Sequence, residues 1–430
     1  MLPFLRYKCR CSFRCTPESY NSLSVMGSFI KDAAGKNDTD LLQVALSGFH
    51  GEFCSDDLNE ALIRAANSGH YECVQLLLDA EADVDTVDLD GDSSLILAST
   101  KNFLKVAKLL INYGCNINLA SHCGQTALHM AAYHQNKQLV ELLLSTSSDV
   151  NMKNRYGDTP LILAVMVNSI EITKLLIKSG ADVNASNLDN ATSLHSAAKN
   201  GTVELTEYLI NSGADINAQN IWGYTPLLQA SMENRPEIVQ MLIDFNCDVH
   251  CSCHAKKTSL HYAANKGHAE CVRILLAAGC NPNKCDFHGS TPLMEAAVYA
   301  RTDVIKLLLH AGGDATIKGG TALAGRWTKA LPFRAALSHG NLELTKVLFL
   351  AGGISLSELQ SVVHSGVISK QTESIVIKEW LQQVASTPLA LSHLCRLIIR
   401  QSMCAPVAKW THLLPIPKTL QDYLNYMDIQ

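Results

Sequence analysis

Apolar residues recur along most of this chain at a fixed interval of 33 residues. The interval is marked by eight leucines that follow one another without a slip, namely Leu62, Leu95, Leu128, Leu161, Leu194, Leu227, Leu260 and Leu293. Each leucine lies in a short segment such as TALHMAA or TPLILAV, and a second amphipathic segment such as VELTEYLI follows. Because apolar residues three and four positions apart share one face of a helix, the pattern predicts repeats of two short helices.

Threonine, proline and glycine mark where these helices begin and end. Three first helices are preceded by a threonine that can cap the helix and a proline that suits the first helical position. These pairs are Thr159-Pro160, Thr225-Pro226 and Thr291-Pro292. Glycines able to adopt a positive φ angle follow several second helices, at Gly114, Gly180, Gly213, Gly279 and Gly312. The end signals therefore agree with the apolar pattern.

This period and these motifs resemble the ankyrin repeat. The resemblance implies an all-α solenoid of helix-turn-helix repeats, in which segments such as ADVNASNLDN form finger hairpins. Eight repeats lie in phase between about residues 57 and 320, and a degenerate one precedes them. After Gly313 about six inserted residues break the phase before a last, atypical capping repeat. The array is expected to span residues 27–353 and to bind a protein partner.

Composition and charge narrow the class of protein. A chain of 430 residues with 47% hydrophobic and 17% charged residues can bury a large core. Its net charge of −5 does not favour nucleic acid or an anionic membrane as a partner. No apolar run is long enough to span a bilayer, so no membrane segment is predicted.

Residues 1–26 are expected to be a disordered tail. Arg6, Lys8, Arg10 and Arg14 interrupt its apolar residues, which is not the pattern of a secretory signal. A mitochondrial presequence is the alternative. Fifteen cysteines without a secretory signal favour free thiols in a reducing compartment, either the cytoplasm or the nucleus.

Candidate catalytic and metal-binding groups are few. His129, His195 and His261 occupy one motif position in alternate repeats, where structural hydrogen bonds to backbone are favoured over metal binding. Five possible zinc ligands lie within eight residues, at Cys247, His250, Cys251, Cys253 and His254. Their spacing is not the paired C-x₂-C pattern, and the segment aligns with a finger. The sequence shows no hydrolase, phosphate-loop or metalloprotease motif, so we predict no catalytic residue, cofactor or metal.

The C-terminal residues have a different pattern. Thr387-Pro388 opens a predicted helix with one apolar stripe, formed by Leu391, Leu394, Cys395 and Ile398. A loop leads to Leu414-Pro415-Ile416-Pro417 and then to TLQDYLNYM. Because proline fixes φ and cannot continue a helix, the Leu-Pro-Ile-Pro segment predicts an extended turn between two helices.

The order of these segments resembles a SOCS box over residues 387–430, behind a helical connector at 354–386. The resemblance implies that the apolar stripe contacts elongin C and that Leu414, Pro415, Ile416 and Pro417 contact cullin-5. The whole chain resembles the ankyrin-repeat and SOCS-box family. That family implies a non-catalytic substrate-recognition subunit of an elongin B/C–cullin-5 RING ubiquitin ligase, which directs its target to ubiquitination and degradation. Two alternatives stay open, an ankyrin scaffold whose C-terminal helices only cap the array, and a zinc or thiol enzyme.

Two sets of large side chains are candidates for binding the target protein, whose identity the sequence does not contain. Tyr156, Trp222 and His288 each precede the glycine of a finger, at intervals of 66 residues. Tyr133, Met166 and Met232 share a position five residues after the motif leucine. Aromatic and methionine side chains bury a large area with few rotatable bonds, which favours binding hot spots. The alternative is that each ring packs against its neighbouring finger.

Overall fold

The computed structural model describes residues 17–48, 54–323, 326–338 and 340–354, together with the single residues Ile377, Glu379 and Leu381. This part of the chain contains twenty α-helices and one two-stranded sheet. It divides after Leu188 into an N-terminal unit and a C-terminal unit, which are described in turn. The all-α ankyrin-repeat class predicted from the sequence is confirmed.

The N-terminal unit is a stack of helix pairs. Its helices are α1 (Pro17–Lys36), α2 (Thr39–Gly48), α3 (Ser55–Ser68), α4 (Tyr71–Asp79), α5 (Ser94–Thr100), α6 (Leu104–Asn112), α7 (Ala127–Tyr133), α8 (Lys137–Leu144), α9 (Pro160–Met166) and α10 (Ile170–Lys178). The first helices α1, α3, α5, α7 and α9 pack on one another in chain order, and the second helices α2, α4, α6, α8 and α10 do the same. Helix α1 begins at Pro17, ten residues before the array start expected at residue 27.

The C-terminal unit continues the same arrangement through α11 (Ser193–Asn200), α12 (Val203–Asn211), α13 (Pro226–Met232), α14 (Pro236–Asp244), α15 (Ser259–Lys266), α16 (Ala269–Ala277), α17 (Pro292–Val298) and α18 (Thr302–His310). A hairpin of β1 (Gly319–Leu323) and β2 (Arg326–Ala330) then precedes α19 (Pro332–Ser338) and α20 (Leu342–Leu350). In the expected connector, Ile377 and Leu381 are buried in the core of this unit, in one cluster with Phe349 and Ile354.

The hairpin accounts for the break in phase after Gly313, which the sequence showed only as an insertion. Strand β1 begins where the next finger would begin, since Gly320 N–H donates to His288 O at 3.2 Å and Ser290 Oγ donates to Gly320 O at 2.9 Å. A Cβ at Gly319 would stand 2.8 Å from Ser290 Cα, so this approach requires glycine. The chain then forms an antiparallel hairpin in which β1 pairs with β2 and Gly319 lies opposite Ala330.

Helix ends follow the signals in the sequence. Thr159 Oγ1 accepts a hydrogen bond from Ile162 N–H at 3.3 Å, and Thr225 and Thr291 cap their helices in the same way. The five predicted glycines all have positive φ, between 82° and 91°. All eight motif leucines are at most 2% exposed, and each such burial stabilises the fold by about 1.5–3 kcal/mol. Among the described helices, none is both long and apolar enough to cross a bilayer.

Candidate target-binding surface

One asparagine or aspartate side chain closes the tip of each of four fingers, at Asp88, Asn154, Asn220 and Asp286. In the finger before α13, Asn220 Oδ1 accepts hydrogen bonds from Trp222 N–H at 3.0 Å and Tyr224 N–H at 2.9 Å. Asn154 and Asp286 make the same pair of bonds in their own fingers. A side-chain acceptor that replaces a backbone partner closes the turn locally. The residues enclosed by this turn, Ile221 and Trp222 in this finger, are therefore held at the tip with their side chains exposed to solvent.

Consecutive tips are joined by backbone hydrogen bonds. In the N-terminal unit these bonds run from His122 N–H to Asp90 O (3.0 Å), from Arg155 N–H to Cys123 O (2.8 Å) and from Leu188 N–H to Tyr156 O (2.9 Å). In the C-terminal unit they run from His254 N–H to Trp222 O (3.1 Å), from Phe287 N–H to Ala255 O (2.9 Å) and from Gly320 N–H to His288 O (3.2 Å). Each unit thus has a row of connected tips.

We call the tips at 88–91, 121–124, 154–157 and 187–188 the N-terminal finger row. The tips at 219–223, 252–257, 284–289 and 317–320 form the C-terminal finger row. Both rows keep their backbone polar groups paired along the row. What a partner meets at either row is therefore mainly side chains.

The sequence-predicted target-binding residues are spread over both units. Tyr156 is 63% exposed and lies in the N-terminal finger row, whereas Trp222, at 49%, and His288 lie in the C-terminal row. Their backbone carbonyls bond to the next finger, while their rings face solvent or a ring of the same finger. The other three lie at the ends of first helices, Tyr133 and Met166 exposed and Met232 partly buried. Their exposure makes them available to a partner, and their role in binding stays a prediction.

Several exposed apolar residues were missed by the sequence analysis. Phe287 is 71% exposed and Ile221 is 43% exposed, each two residues before the glycine of its finger. Leu89 holds the same position in the N-terminal unit. The predicted residues all directly precede the glycine of a finger, and His288 is therefore among them although its neighbour Phe287 presents the larger apolar surface. A search of both tip positions would have found them.

A pair of tyrosines extends the aromatic surface from Trp222 towards α15. The Trp222 and Tyr224 ring centroids are 6.2 Å apart, and the Tyr224 and Tyr262 rings meet edge to face at 5.6 Å. Tyr262 donates its hydroxyl hydrogen to the Tyr224 hydroxyl at 3.1 Å. Burial, followed by this bond, raises the pKa of Tyr262, so the hydroxyl stays protonated. The cluster holds the inner edge of the Trp222 finger in place.

The C-terminal finger row carries positive charge. Lys256, Lys284 and Lys318 are exposed at three successive tips. Lys257 turns inward instead, with Nζ 2.6 Å from Glu295 Oε1. Glu295 also accepts a hydrogen bond from Asn265 at 2.7 Å, so its carboxylate is satisfied inside the protein. The buried charges of this region neutralise one another, and the exposed lysines set the sign of the surface.

The N-terminal finger row has a different charge. Five aspartates, Asp83, Asp85, Asp88, Asp90 and Asp92, lie in its first finger. Asp88 Oδ1 closes this tip by accepting hydrogen bonds from Asp90 and Asp92 N–H at 2.9 and 2.8 Å. Burial and the neighbouring Asp88 and Asp90 carboxylates raise the pKa of Asp92. This end of the row is acidic, while the third tip carries Arg155.

The three motif histidines have the structural role expected of them. His129 Nδ1 accepts a hydrogen bond from Thr126 N–H at 3.2 Å, so Nε2 carries the hydrogen and donates to Asp158 O at 3.1 Å. His195 and His261 bond in the same way to a carbonyl of the next finger, at 2.8 and 3.1 Å. Burial lowers the pKa of His129 to about 4, which keeps the ring neutral. Both ring nitrogens are used, and the structural interpretation is confirmed.

The cysteine and histidine cluster forms a finger. Cys247 and Cys253 are buried, and Cys251 donates to Asp248 Oδ2 at 3.2 Å. Burial raises the pKa of Cys247 to about 12, and burial with Asp248 raises that of Cys251 to about 11, so both thiols stay protonated. Within the described ranges no three His, Cys, Asp or Glu side chains form a metal site, and the ten cysteines there form no disulfide.

The predicted SOCS-box residues lie outside the described residues. These are Leu391, Leu394, Cys395 and Ile398 in the first segment and Leu414, Pro415, Ile416 and Pro417 in the second.

Comparison with known families covers both parts of the chain. A model of ankyrin repeats (three copies) matches residues 30–121, 113–187 and 233–319, and a model of ankyrin repeats (many copies) matches 167–210 and 194–243. A SOCS-box model matches residues 387–425. A stretch of 66 residues is 39% identical to cortactin-binding protein 2 of Rattus norvegicus. That match covers 15% of this chain and only 4% of the relative's own length.

Repeats that expose connected finger rows, followed by a SOCS box, indicate an adaptor-type protein. The chain belongs to the ankyrin-repeat and SOCS-box family. SOCS boxes in general bind elongin B/C and cullin-5 complexes.

Proposed function

We propose that this protein is the substrate-recognition subunit of an elongin B/C–cullin-5 RING ubiquitin ligase. The observation that carries the proposal is the SOCS-box match at residues 387–425, directly behind an ankyrin array with exposed apolar finger tips. The array would capture a target protein, and the SOCS box would join it to the ligase. The fifteen cysteines favour a reducing compartment for this activity, either the cytoplasm or the nucleus.

Two separate segments of the SOCS box bind the ligase, one contacting elongin C and the other cullin-5. In the first, Leu391, Leu394, Cys395 and Ile398 fall at the i, i+3, i+4 and i+7 positions of one helix stripe, which suits a groove on elongin C. In the second, Pro415 and Pro417 limit the backbone to extended conformations, so little entropy is lost when the segment docks on cullin-5. The chain itself supplies proximity between target and ligase, since transfer of ubiquitin belongs to the recruited RING subunit and its conjugating enzyme.

The experiment is co-purification of elongin B/C with the full chain and with Leu391→Asp/Cys395→Phe. A buried leucine contributes about 1.5–3 kcal/mol, and a charge in its place costs more, so the double variant should lose elongin. The control makes the same two changes at exposed finger positions, Leu89→Asp with Cys123→Phe, and should retain elongin.

Equal recovery of elongin by the wild type and the SOCS-box variant contradicts the proposal. If neither binds elongin while the repeats remain folded by circular dichroism, the chain is an ankyrin scaffold whose C-terminal segment serves another purpose.

A further inference from the structure

The C-terminal finger row combines large apolar side chains with one sign of charge. Ile221 and Trp222 lie at its first described tip and Phe287 at its third, and all three are more than 40% exposed. The tip between them carries exposed Lys256, and Lys284 stands beside Phe287. The backbone bonds from His254 to Trp222 and from Phe287 to Ala255 make these tips immediate neighbours.

Exposed Asp215, Asp248 and Asp314 precede the tips in the same fingers. Within the described tips themselves, between residues 219 and 320, no exposed carboxylate accompanies these lysines. The one acidic residue there is Asp286, whose side chain is 1% exposed and whose Oδ1 accepts bonds from the His288 and Ser290 N–H groups. Exposed Asp189 stands before the row, next to Ile221. Lys256 lies on the tip that is bonded through Ala255 O to the tip that carries Lys284 and Phe287. A partner that crosses both tips therefore meets two positive charges in succession.

The outer helices of the same unit carry the opposite charge. A groove of about 1030 Å³ along α12, α14 and α16 is lined by Met241, Phe245 and Ile274, and its carboxylates are Glu207, Glu237, Asp244 and Glu270. One cation, Arg273, lies among the residues that line it, and it is paired with Glu270. An acidic partner is therefore repelled from the outer face and attracted to the fingers. The separation of charge gives the C-terminal unit a preferred face for such a partner.

We propose that the C-terminal finger row binds an extended acidic segment that carries an aromatic or large aliphatic side chain. The apolar side chain lies against Trp222 and Phe287, and its flanking carboxylates face Lys256, Lys284 and Lys318. Four tips about 10 Å apart span roughly 30 Å, which about ten extended residues cover. Calling this segment part of the ligase's target rests on the proposed function, whereas the recognition chemistry does not.

The first test is selection of random twelve-residue peptides displayed on phage against the immobilised full chain. We expect the enriched peptides to be acidic and to contain an aromatic or large aliphatic residue. Enrichment of neutral or basic peptides overturns the proposal, and so does a failure to enrich any sequence on correctly folded protein.

The second test measures binding of one enriched peptide, labelled with fluorescein, to full-chain variants. Lys256→Glu/Lys284→Glu should weaken binding at least tenfold and flatten its salt dependence, because both effects come from the exposed cations. Lys105→Glu/Lys108→Glu makes the same charge change at exposed positions on α6 and should leave binding unchanged. Trp222→Ala should weaken it by about thirtyfold, a hot-spot loss that non-specific charge attraction does not produce.

Equal loss in the two charge-reversal variants, or unchanged binding in Trp222→Ala, overturns the assignment to this row. Elongin B/C recovery is measured on the same preparations. Normal elongin binding with failed peptide recognition contradicts only the target chemistry, and the reverse result contradicts only the ligase function.

Discussion

The first finger of the N-terminal unit carries five aspartates, whereas the tips of the C-terminal unit carry exposed Lys256, Lys284 and Lys318 beside Trp222 and Phe287. Beneath this difference the two finger rows have the same construction. Asn or Asp acceptors close tips in both rows, at Asp88 and Asn154 in one and at Asn220 and Asp286 in the other, and consecutive tips of each row are bonded through their backbones. The exposed tip side chains take no part in these backbone contacts. The fold therefore leaves the tip side chains available for recognition, and two rows of the same construction can present different chemistry.

The prediction with the greatest effect concerns the stability of the repeats, whose buried hydrogen bonds have the same construction beneath both rows. His129→Ala removes the bonds to Thr126 N–H and Asp158 O and leaves the Thr126 N–H without this acceptor, whereas Asp158 O keeps the hydrogen bond from Asn154 N–H at 3.0 Å. Together with the cavity left by the buried ring, this should cost about 3 kcal/mol of unfolding free energy. Urea denaturation of the full chain measures this loss. His122→Ala, at an exposed tip of the same unit, should change stability by less than about 0.5 kcal/mol. Similar losses in both variants would show that the tips also support the fold.

A second test uses the pH dependence of the same histidine. The pKa of His129 falls from 6.5 to about 4 on folding, so below pH 6.5 the unfolded chain binds more protons than the folded one. The stability from this residue is complete above pH 6.5 and is lost progressively as the pH falls to 4, by about 3 kcal/mol in all. His129→Gln should flatten that part of the profile in urea titrations. An unchanged slope would mean that His129 does not titrate as its burial requires.

The smallest effect concerns recognition and separates the two rows. Trp222→Ala should weaken the free energy of target binding by about 2 kcal/mol. The melting temperature should not change, because the ring is half exposed and its finger is closed by Asn220. Tyr156→Ala removes a similarly exposed ring from the N-terminal row and serves as the matched variant. Titration calorimetry with the enriched peptide compares them. Equal losses would assign binding to both rows, and a lower melting temperature for Trp222→Ala alone would make that residue structural.

Much of the frame was predictable because its signals are local in the chain. The threonine caps and the glycines with positive φ each depend on residues within a few positions of one another, and each repeat carries its own copy of the buried leucine at an interval of 33 residues. The role of His129 was also predictable, since its repeat position determines which backbone groups it meets. The SOCS-box contacts of Leu391 and Pro415 stay predictions, because they concern residues outside the described part of the chain.

Tertiary structure alone decided the features that join residues about thirty or more positions apart. The β1–β2 hairpin replaces a regular finger because Gly320 bonds to His288 and Ser290, both on the preceding finger. Likewise, Lys257 is neutralised by Glu295, 38 residues away, while Lys256 beside it stays exposed. Lys256 and Lys257 are the same residue type at adjacent positions, but only Lys257 meets a carboxylate from the next repeat, so their roles differ. The repeat and its helices thus follow from local patterns in the chain, whereas packing between repeats selects the charges and rings that stay exposed to a partner.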